Sequence, residues 1–390
     1  MIQKTIQLRG MTWDHARGYD PLVATARAYE TKHPHVGIRW ERRSLKAFEE
    51  LPVSRLAAQF DLVVFDHPFV GTAARGGPFL PLDEHLPASY LAEQAANAVG
   101  ASHESYRFAG HQWGLAIDAA APVAAWRDDV FVALGASPPR TWEELLELAE
   151  DGRVEVPAAP IYCLMNFYSL CVAAGGTPFE STERLVEREA GADAIGRLRT
   201  LLAACDPGCL ERNPIASHEK LSAAPHDGVA YCPLTYGYYN YARSGFATNV
   251  LTFGDPPDVS GHPLRTTLGG TGLGVSALRP NREEAIAYAA FVASGDVQRT
   301  IYTSSGGQPG HRRAWLDPKN NDLVGHAFVR TLPVLDRAYL RPRYDGYVGF
   351  QEEAGPVVHA AVRGELGDLE ALVRLDEIFR ASRARTTVFA

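Results

Sequence analysis

The sequence predicts an α/β protein built around a largely parallel sheet. Three observations carry this prediction. Residues 1–66 alternate between strand-like and helix-like patterns. Asp61-Leu62-Val63-Val64-Phe65-Asp66 contains a short continuous apolar run, the mark of a central strand covered on both faces. No internal repeat, low-complexity stretch or linker splits the 390 residues into consecutive domains. At about 150 residues per domain the length has room for two or three. Two domains without a linker would be interleaved.

The elements follow in order. Ile6 to Trp13 reads as a buried strand, continuing the alternation of Ile2, Thr5 and Gln7 with Ile6 and Leu8. Asp20 offers an N-cap with Pro21 at the first helical position. Leu22, Val23, Ala26 and Tyr29 then recur at helical spacing to about Lys32. Val36, Ile38 and Trp40 alternate as a second strand. A second helix is expected over Ser44 to Phe60, interrupted or begun by Pro52. The apolar run at Asp61–Asp66 completes a β-α-β-α-β opening.

Gly110 to Trp126 reads as one long extended segment with Asp118 in its middle. Thr141-Trp142-Glu143-Glu144 has the form of a capping box opening a helix to about Glu150. Val229 to Pro233 and the glycine-rich Leu268 to Leu278 read as extended. Asn281 and Glu284 are expected to cap a helix through Ser294, with another beginning near Asp296. The last helix starts near Asp368 and would bury Leu369, Leu372, Val373, Ile378 and Phe379.

Composition narrows the function. Hydrophobic residues at 46% and charged residues at 22% suit a soluble globular chain and fit neither disorder, collagen nor coiled coil. No apolar run approaches the ~18 residues of a membrane span. A net charge of −8 argues against broad nucleic-acid or anionic-membrane binding, which needs a basic face. Five cysteines are too few for a disulfide scaffold. Cys163, Cys171 and Cys232 sit among apolar residues and read as core. Cys205 and Cys209 flank the turn sequence Asp206-Pro207-Gly208, as a small disulfide loop or as two thiols. Met1–Gly10 has no apolar h-region, so the chain as given shows no secretory signal. The expectations there are a cytoplasmic protein or a presequence already removed.

No local signature of catalysis is present. Gly269-Gly270-Thr271-Gly272-Leu273-Gly274 has neither a phosphate-loop lysine nor the dinucleotide register, and reads as a close backbone crossing. There is no G-x-S-x-G elbow. His33-Pro34-His35 and His218-Glu219 lack metal-ligand spacing, so neither metal nor cofactor is expected. What recurs instead is polar and aromatic residues at predicted strand ends: Trp13-Asp14-His15, Asp66-His67, Asp118, and Tyr236 to Tyr241. Ligand sites of parallel α/β sheets lie outside the carboxyl ends of strands. Aromatic faces with nearby carboxylates and amides are what a sugar needs.

At this level the chain resembles the family 1 extracellular solute-binding proteins of ABC transporters, the class that includes maltose-binding proteins. The resemblance rests on the opening strand through Met11-Thr12-Trp13-Asp14-His15, on Phe60 to Asp66, and on Leu80-Pro81-Leu82-Asp83-Glu84. It continues through Gln112 to Asp118, Ala124 to Phe131, Thr141 to Leu145, Gly269 to Ser276, Gln298, and Gly306-Gly307-Gln308-Pro309. It implies a type II periplasmic-binding-protein-like fold of two discontinuous α/β lobes, with a hinge and an interlobe ligand cleft. The lobes are expected near 1–117 plus 271–316 and near 118–270 plus 317–390. It implies a substrate-binding component of an ABC importer that closes on a small polar solute, a sugar or sugar derivative, and does no chemistry on it. A permease and ATPase complex would be its partner, the protein a monomer, and its location periplasmic or cell-surface.

Carried over by matched position, the ligand-binding candidates are Trp13, His15, Asp66, His67, Asp118, Tyr236, Tyr238, Tyr239 and Gly270, with Asn166, Tyr168 and Gln308 beside them. Two alternatives stay open. Tyr238-Tyr239 with Tyr241 resembles the adjacent tyrosine ligands of ferric-ion binding proteins of the same architecture. The N-terminus also allows a cytoplasmic solute-binding protein not coupled to transport.

Overall fold

A computed structural model describes residues 5–44 and 53–387. Within them the chain forms two units, each assembled from separated segments. Unit 1 takes in residues up to Ala120, Gly269–Leu323 and Arg343–Asp345. Unit 2 takes in Ala121–Leu268, Val324–Pro342 and Gly346 onward. The strands are β1 (Ile6–Trp13), β2 (Val36–Arg43), β3 (Leu62–Asp66), β4 (Arg107–Phe108), β5 (His111–Gln112), β6 (Leu115–Ala116), β7 (Pro122–Trp126), β8 (Tyr231–Tyr236), β9 (Thr252–Gly254) and β10 (Thr271–Val275).

Unit 1 is organised by a five-stranded sheet in the order β2-β1-β3-β10-β6. Strands β2, β1 and β3 are parallel, as the β-α-β-α-β opening predicts. Strand β10 runs antiparallel to β3 and to β6, so the sheet is mixed. The reason is connectivity: β10 begins just after the chain re-enters the unit at Gly269, and it arrives from the other end. Burial is nearly complete along β3, where Leu62, Val63, Val64 and Phe65 are at most 2% exposed. The helices Ala16–Lys32 and Arg282–Ala293 are tied to β2 by the Tyr288 hydroxyl. It meets Thr25 Oγ1 at 3.0 Å, accepts from Trp40 Nε1 at 3.2 Å and lies 3.2 Å from the Leu22 carbonyl.

Unit 2 has an antiparallel sheet, β8-β7-β9, with a bulge between Val123 and Ala125. Its core is helical. The Pro160–Ala173 helix is buried continuously from Tyr162 to Cys171, so that stretch has no solvent face. Helices Arg188–Ala203 and Tyr347–Val362 pack on it, and Asp368–Thr387 packs on those two. Gly355 permits close packing, since a β-carbon there would lie 3.0 Å from the Pro160 carbonyl oxygen.

Several local expectations are corrected. The first helix begins at Ala16, more than a turn before Pro21, because His15 and not Asp20 provides the cap. Its Nδ1 accepts from Arg17 N at 3.0 Å. Residues 45–52 of the expected second helix, and Ile2, lie outside the described residues; the described part is Val53–Gln59. The segment from Gly110 to Trp126 is not one extended run but three short strands. It breaks around Asp118, close to where the chain leaves unit 1. Asn281 makes no side-chain cap: its Nδ2 donates to the Gln7 carbonyl at 3.3 Å, and Glu284 accepts from Tyr29 Oη at 2.6 Å. In the last helix Leu369 and Val373 face solvent, while Ala371, Leu372, Leu375 and Phe379 are buried. The apolar stripe lies one step around the helix from its sequence-predicted position.

The capping box at Thr141 is complete. Thr141 Oγ1 accepts from Glu144 N at 3.2 Å, and the Glu144 carboxylate accepts from Thr141 N at 3.4 Å. Replacing Thr141 by Ala removes one capped amide and is expected to cost about 1 kcal/mol, read as a lower urea midpoint at unchanged slope.

Candidate functional site

The candidates of unit 1 converge where β1, β3 and β10 end or begin. Asp66 closes β3 and is paired in register with Thr271, the first residue of β10. Asp118 follows β6 and exchanges backbone bonds with Thr271, each 3.1 Å. Gly270 sits between them at φ +93°. A β-carbon there would lie 2.3 Å from the Asp118 carbonyl oxygen, so both its dihedral and its contact require glycine. Gln308 donates through Nε2 to the Ala119 carbonyl at 2.7 Å, and Ala119 N returns to the Gln308 carbonyl at 3.2 Å. The glycine cluster is thus the close backbone crossing its composition predicts.

The Asp118 carboxylate is inaccessible and is held by Arg17, through Nε to Oδ2 at 2.8 Å and through a second guanidinium nitrogen to Oδ1. Burial pushes its carboxyl up from the ordinary value, and the Arg17 guanidinium and the Thr271 amide pull it back. Asp118 therefore works as the anchor of a buried ion pair. His15, close to Arg17, is lowered to about 4 by burial and by the Arg17 charge. A neutral imidazole is also what the cap demands, because protonated Nδ1 has no lone pair for Arg17 N.

The remaining unit 1 candidates divide by accessibility. Trp13 is 3% exposed, its indole laid against Gly18 so closely that a β-carbon there would fall 2.4 Å from the ring. His67 is fully buried, edge-on to Tyr106 with centroids 6.3 Å apart. Tyr106 in turn donates toward the carbonyls of Phe65, at 3.2 Å, and Gly270, at 3.3 Å. His15, Asp66 and Gly270 keep partial exposure. A groove of about 570 Å³ on this unit, lined by Tyr19, Arg27, Glu30, Arg39, Trp40 and Arg42 among others, contains none of the candidates.

In unit 2 the aromatic run follows β8, as expected, but most of it is core. Tyr236 ends β8, is partly exposed, and pairs its hydroxyl with Thr267 Oγ1 at 2.9 Å. Tyr239 is 2% exposed, with its hydroxyl on Thr331 Oγ1 at 2.6 Å and its ring edge-on to Phe253 and Phe328. Tyr241 is buried, stacked on His218, and donates to Glu219 Oε1 at 2.5 Å. The Tyr238 ring lies 5.9 Å from the His218 ring centre. The phenol oxygens of Tyr239 and Tyr241 thus go to different partners, Thr331 and Glu219. Tyr168 is wholly inside a cluster with Phe167 and Phe179. Asn166, at 2% exposed, points Nδ2 toward the Pro157 carbonyl at 3.5 Å.

Three contributors escape the sequence patterns: Arg17, Tyr106 and Thr267. Arg17 is hidden when the helix start is placed at Asp20. With the start at His15, an arginine in the first turn is a visible signal, since its charge opposes the helix dipole and needs a carboxylate elsewhere.

Two outcomes follow. Asp118→Ala leaves a buried guanidinium uncompensated and is expected to destabilise the chain by about 3–5 kcal/mol. Combining Arg17→Met with Asp118→Leu replaces the pair by apolar side chains of similar volume and is expected to recover most of that loss. Chemical denaturation of the single and double variants checks this. For His15 the folded value lies below the unfolded value of 6.5, so the unfolded chain binds more protons between them. Its contribution to stability is full above about pH 6.5 and is lost as pH falls toward about 4. His15→Asn keeps a capping oxygen and is expected to flatten that part of the curve in melts from about pH 7 to about pH 4.5. An unchanged curve would contradict the neutral cap.

The fold can be compared with known proteins. A model of the bacterial extracellular solute-binding protein family matches residues 24–319, about three quarters of the chain. No curated protein matches it by sequence. Among solved structures, maltose-bound MalE3 of T. maritima is 17% identical with a TM-score of 0.84, covering 96% of this chain and 99% of that one. A ribitol complex of an ABC transporter solute-binding protein from Agrobacterium radiobacter K84 gives 16% and 0.80, over 97% and 99%. One from Thermotoga lettingae bound with α-D-tagatose gives 19% and 0.79, over 97% and 99%. These likenesses establish a type II periplasmic-binding-protein fold, in agreement with the resemblance read from the residues. No helix among the described residues is long and apolar enough to cross a membrane. The strand order, the glycine crossing and the match over residues 24–319 lead to one conclusion: the chain belongs to the bacterial extracellular solute-binding protein family.

Proposed function

We propose that this protein is the solute-capturing component of an ABC importer and that its solute is a sugar or sugar derivative. The observation that carries the reading is the likeness, over nearly the whole chain, to proteins solved with maltose, ribitol and tagatose. The chemistry of the candidates supports it. Asp66 offers a carboxylate at a strand end, suited to accept from hydroxyls. Tyr236 offers an aromatic ring at the end of β8, suited to the apolar C–H face of a sugar. The Gly270 crossing brings Thr271 into register beside Asp66.

In this reading the two units are the two lobes, and each contributes part of the solute site. The solute would draw their equilibrium toward a closed form, because only that form satisfies contacts from both. A permease with its ATPase would read the closed form. Micromolar affinity corresponds to about −8 kcal/mol, the net remaining after hydroxyl desolvation and closure. No bond of the solute is made or broken. An extracellular location is part of the same proposal.

Thermal-shift screening against sugars, sugar acids and polyols is the test. A ligand at about 100-fold excess over its Kd is expected to add about 2.7 kcal/mol of stability. Absence of stabilisation across a broad panel would overturn the reading. Asp66→Ala is expected to weaken the best ligand roughly ten- to a hundredfold, by calorimetry.

A further inference from the structure

The sheet of unit 1 ends on one side at β2, whose neighbour in the order β2-β1-β3-β10-β6 is β1. That pairing fixes which way the β2 backbone points. His35 and Arg43 turn their carbonyls toward β1, where Thr5 N and Asp14 N take them at 2.9 and 2.6 Å. Backbone groups alternate sides along a strand, so the odd-numbered residues bond inward and the even-numbered ones face out. Val36 N is spent on the His33 carbonyl at 2.9 Å, and Ile38 N on Glu30 Oε1 at 2.7 Å. Beyond Ile38 the edge is open: among the described residues no strand or side chain takes the Trp40 and Arg42 amides. This stretch lines the groove of about 570 Å³, walled by Tyr19, Val23 and Arg27 of the Ala16–Lys32 helix.

Charge around the groove is uneven. Three nearby acids are engaged: Glu30 caps Ile38, Glu41 holds Arg9 Nε at 3.1 Å and Nη2 at 2.7 Å, and Asp14 meets Arg42 at 3.2 Å. Arg42 also lies over the Tyr19 ring, 4.9 Å from its centre. Arg27 and Arg39 are exposed, and among the described residues no carboxylate pairs with either. They stand on opposite sides of the edge. Arg27 comes from the helix, which covers the face that Trp40 and Arg42 share, and Arg39 alternates to the other face.

We propose that this edge is a docking site for an extended acidic segment of a partner protein, added as a further strand beside β2. The segment's backbone would pair with the outward groups of Trp40 and Arg42. From Ile38 to Arg42 the edge runs about 13 Å, or about four residues of strand. Arg27 and Arg39 supply the choice of partner. Successive side chains of an added strand turn to opposite faces, so acids one or three positions apart meet both guanidiniums. Acids two positions apart share a face and reach one of them. The whole chain carries −8, so the attraction for an acidic segment is local and comes from these two arginines. Neither arginine is among the solute candidates, so the inference stands apart from the identity of the solute.

The test uses the purified full chain and short fluorescein-labelled valine–threonine peptides, read by anisotropy at low salt. The peptide with two adjacent aspartates is expected to bind about three- to fivefold tighter than its isomer with the aspartates two positions apart. It should bind more than about tenfold tighter than a dilysine version. Methylating its backbone nitrogens should abolish binding, because the ladder is lost. At saturation, hydrogen exchange of the Trp40 and Arg42 amides should slow about tenfold or more, while Ile38, already bonded to Glu30, changes little. Arg27→Ala with Arg39→Ala should weaken the diaspartate peptide about three- to tenfold, and Arg27→Lys with Arg39→Lys should keep most of the affinity. Four results would each overturn the proposal: no anisotropy change with any peptide, equal binding of the two aspartate isomers, binding without slower exchange at Trp40 and Arg42, or protection of those amides by self-association of the free chain. Should the alanine variant fail to fold, the peptide series and the wild-type exchange decide.

Discussion

A carboxylate with no access to water must be compensated, and Asp118 is compensated by Arg17 across a separation of 101 residues. The pair joins the start of the first helix to the segment that follows β6. Everything around it is arranged to keep the geometry. His15 caps the helix and sets where Arg17 emerges. Thr271 exchanges both backbone bonds with Asp118 and so brings β10 alongside. Gln308 and Ala119 lock the next residue. Removing either charge would leave the other stranded in a low-dielectric interior, a penalty larger than most single contacts return.

The same constraint explains the glycines. Strand β10 reaches the sheet at the point where the Asp118 carbonyl already stands, leaving no room for a side chain at Gly270. At Gly272 a β-carbon would strike the Tyr106 ring at 2.5 Å, and it is Tyr106 whose hydroxyl reaches the Phe65 and Gly270 carbonyls. The glycine cluster is therefore a packing device that lets an antiparallel strand enter beside β3. Asp66, at the end of β3, is positioned by it. In unit 2 the corresponding work is done by aromatic burial: the run after β8 spends Tyr239 and Tyr241 on the core, and Tyr236 is the member that keeps an exposed part.

Local chemistry makes several elements legible. The apolar run of β3, the Thr141 capping box and the glycine crossing are each written in consecutive residues, so their physics depends little on distant partners. Where a distant partner decides, local signals mislead. Asp20 with Pro21 is a good start signal, yet the helix starts earlier because His15 caps it as a neutral imidazole, and the partial burial that keeps the ring neutral is a tertiary fact. Asn281 has a capping side chain, but the Gln7 carbonyl takes its amide. The buried face of the last helix sits one step from the expected one because Leu369 and Val373 have no neighbour to cover them.

The candidate site divides along the same line. By itself the sequence determined the α/β class, the family and the positions at strand ends where polar residues gather, since alternation, capping and glycine runs are local or periodic signals. Only the tertiary structure decided the use of each. Asp118 became an internal ion-pair partner instead of an open carboxylate, and Trp13 and Tyr168 became packing. Asp66 and Tyr236 kept accessible surface. A side chain's role depends on what covers it and what charge stands beside it, and both are set by residues far away in the chain: Arg17 for Asp118, Thr267 for Tyr236.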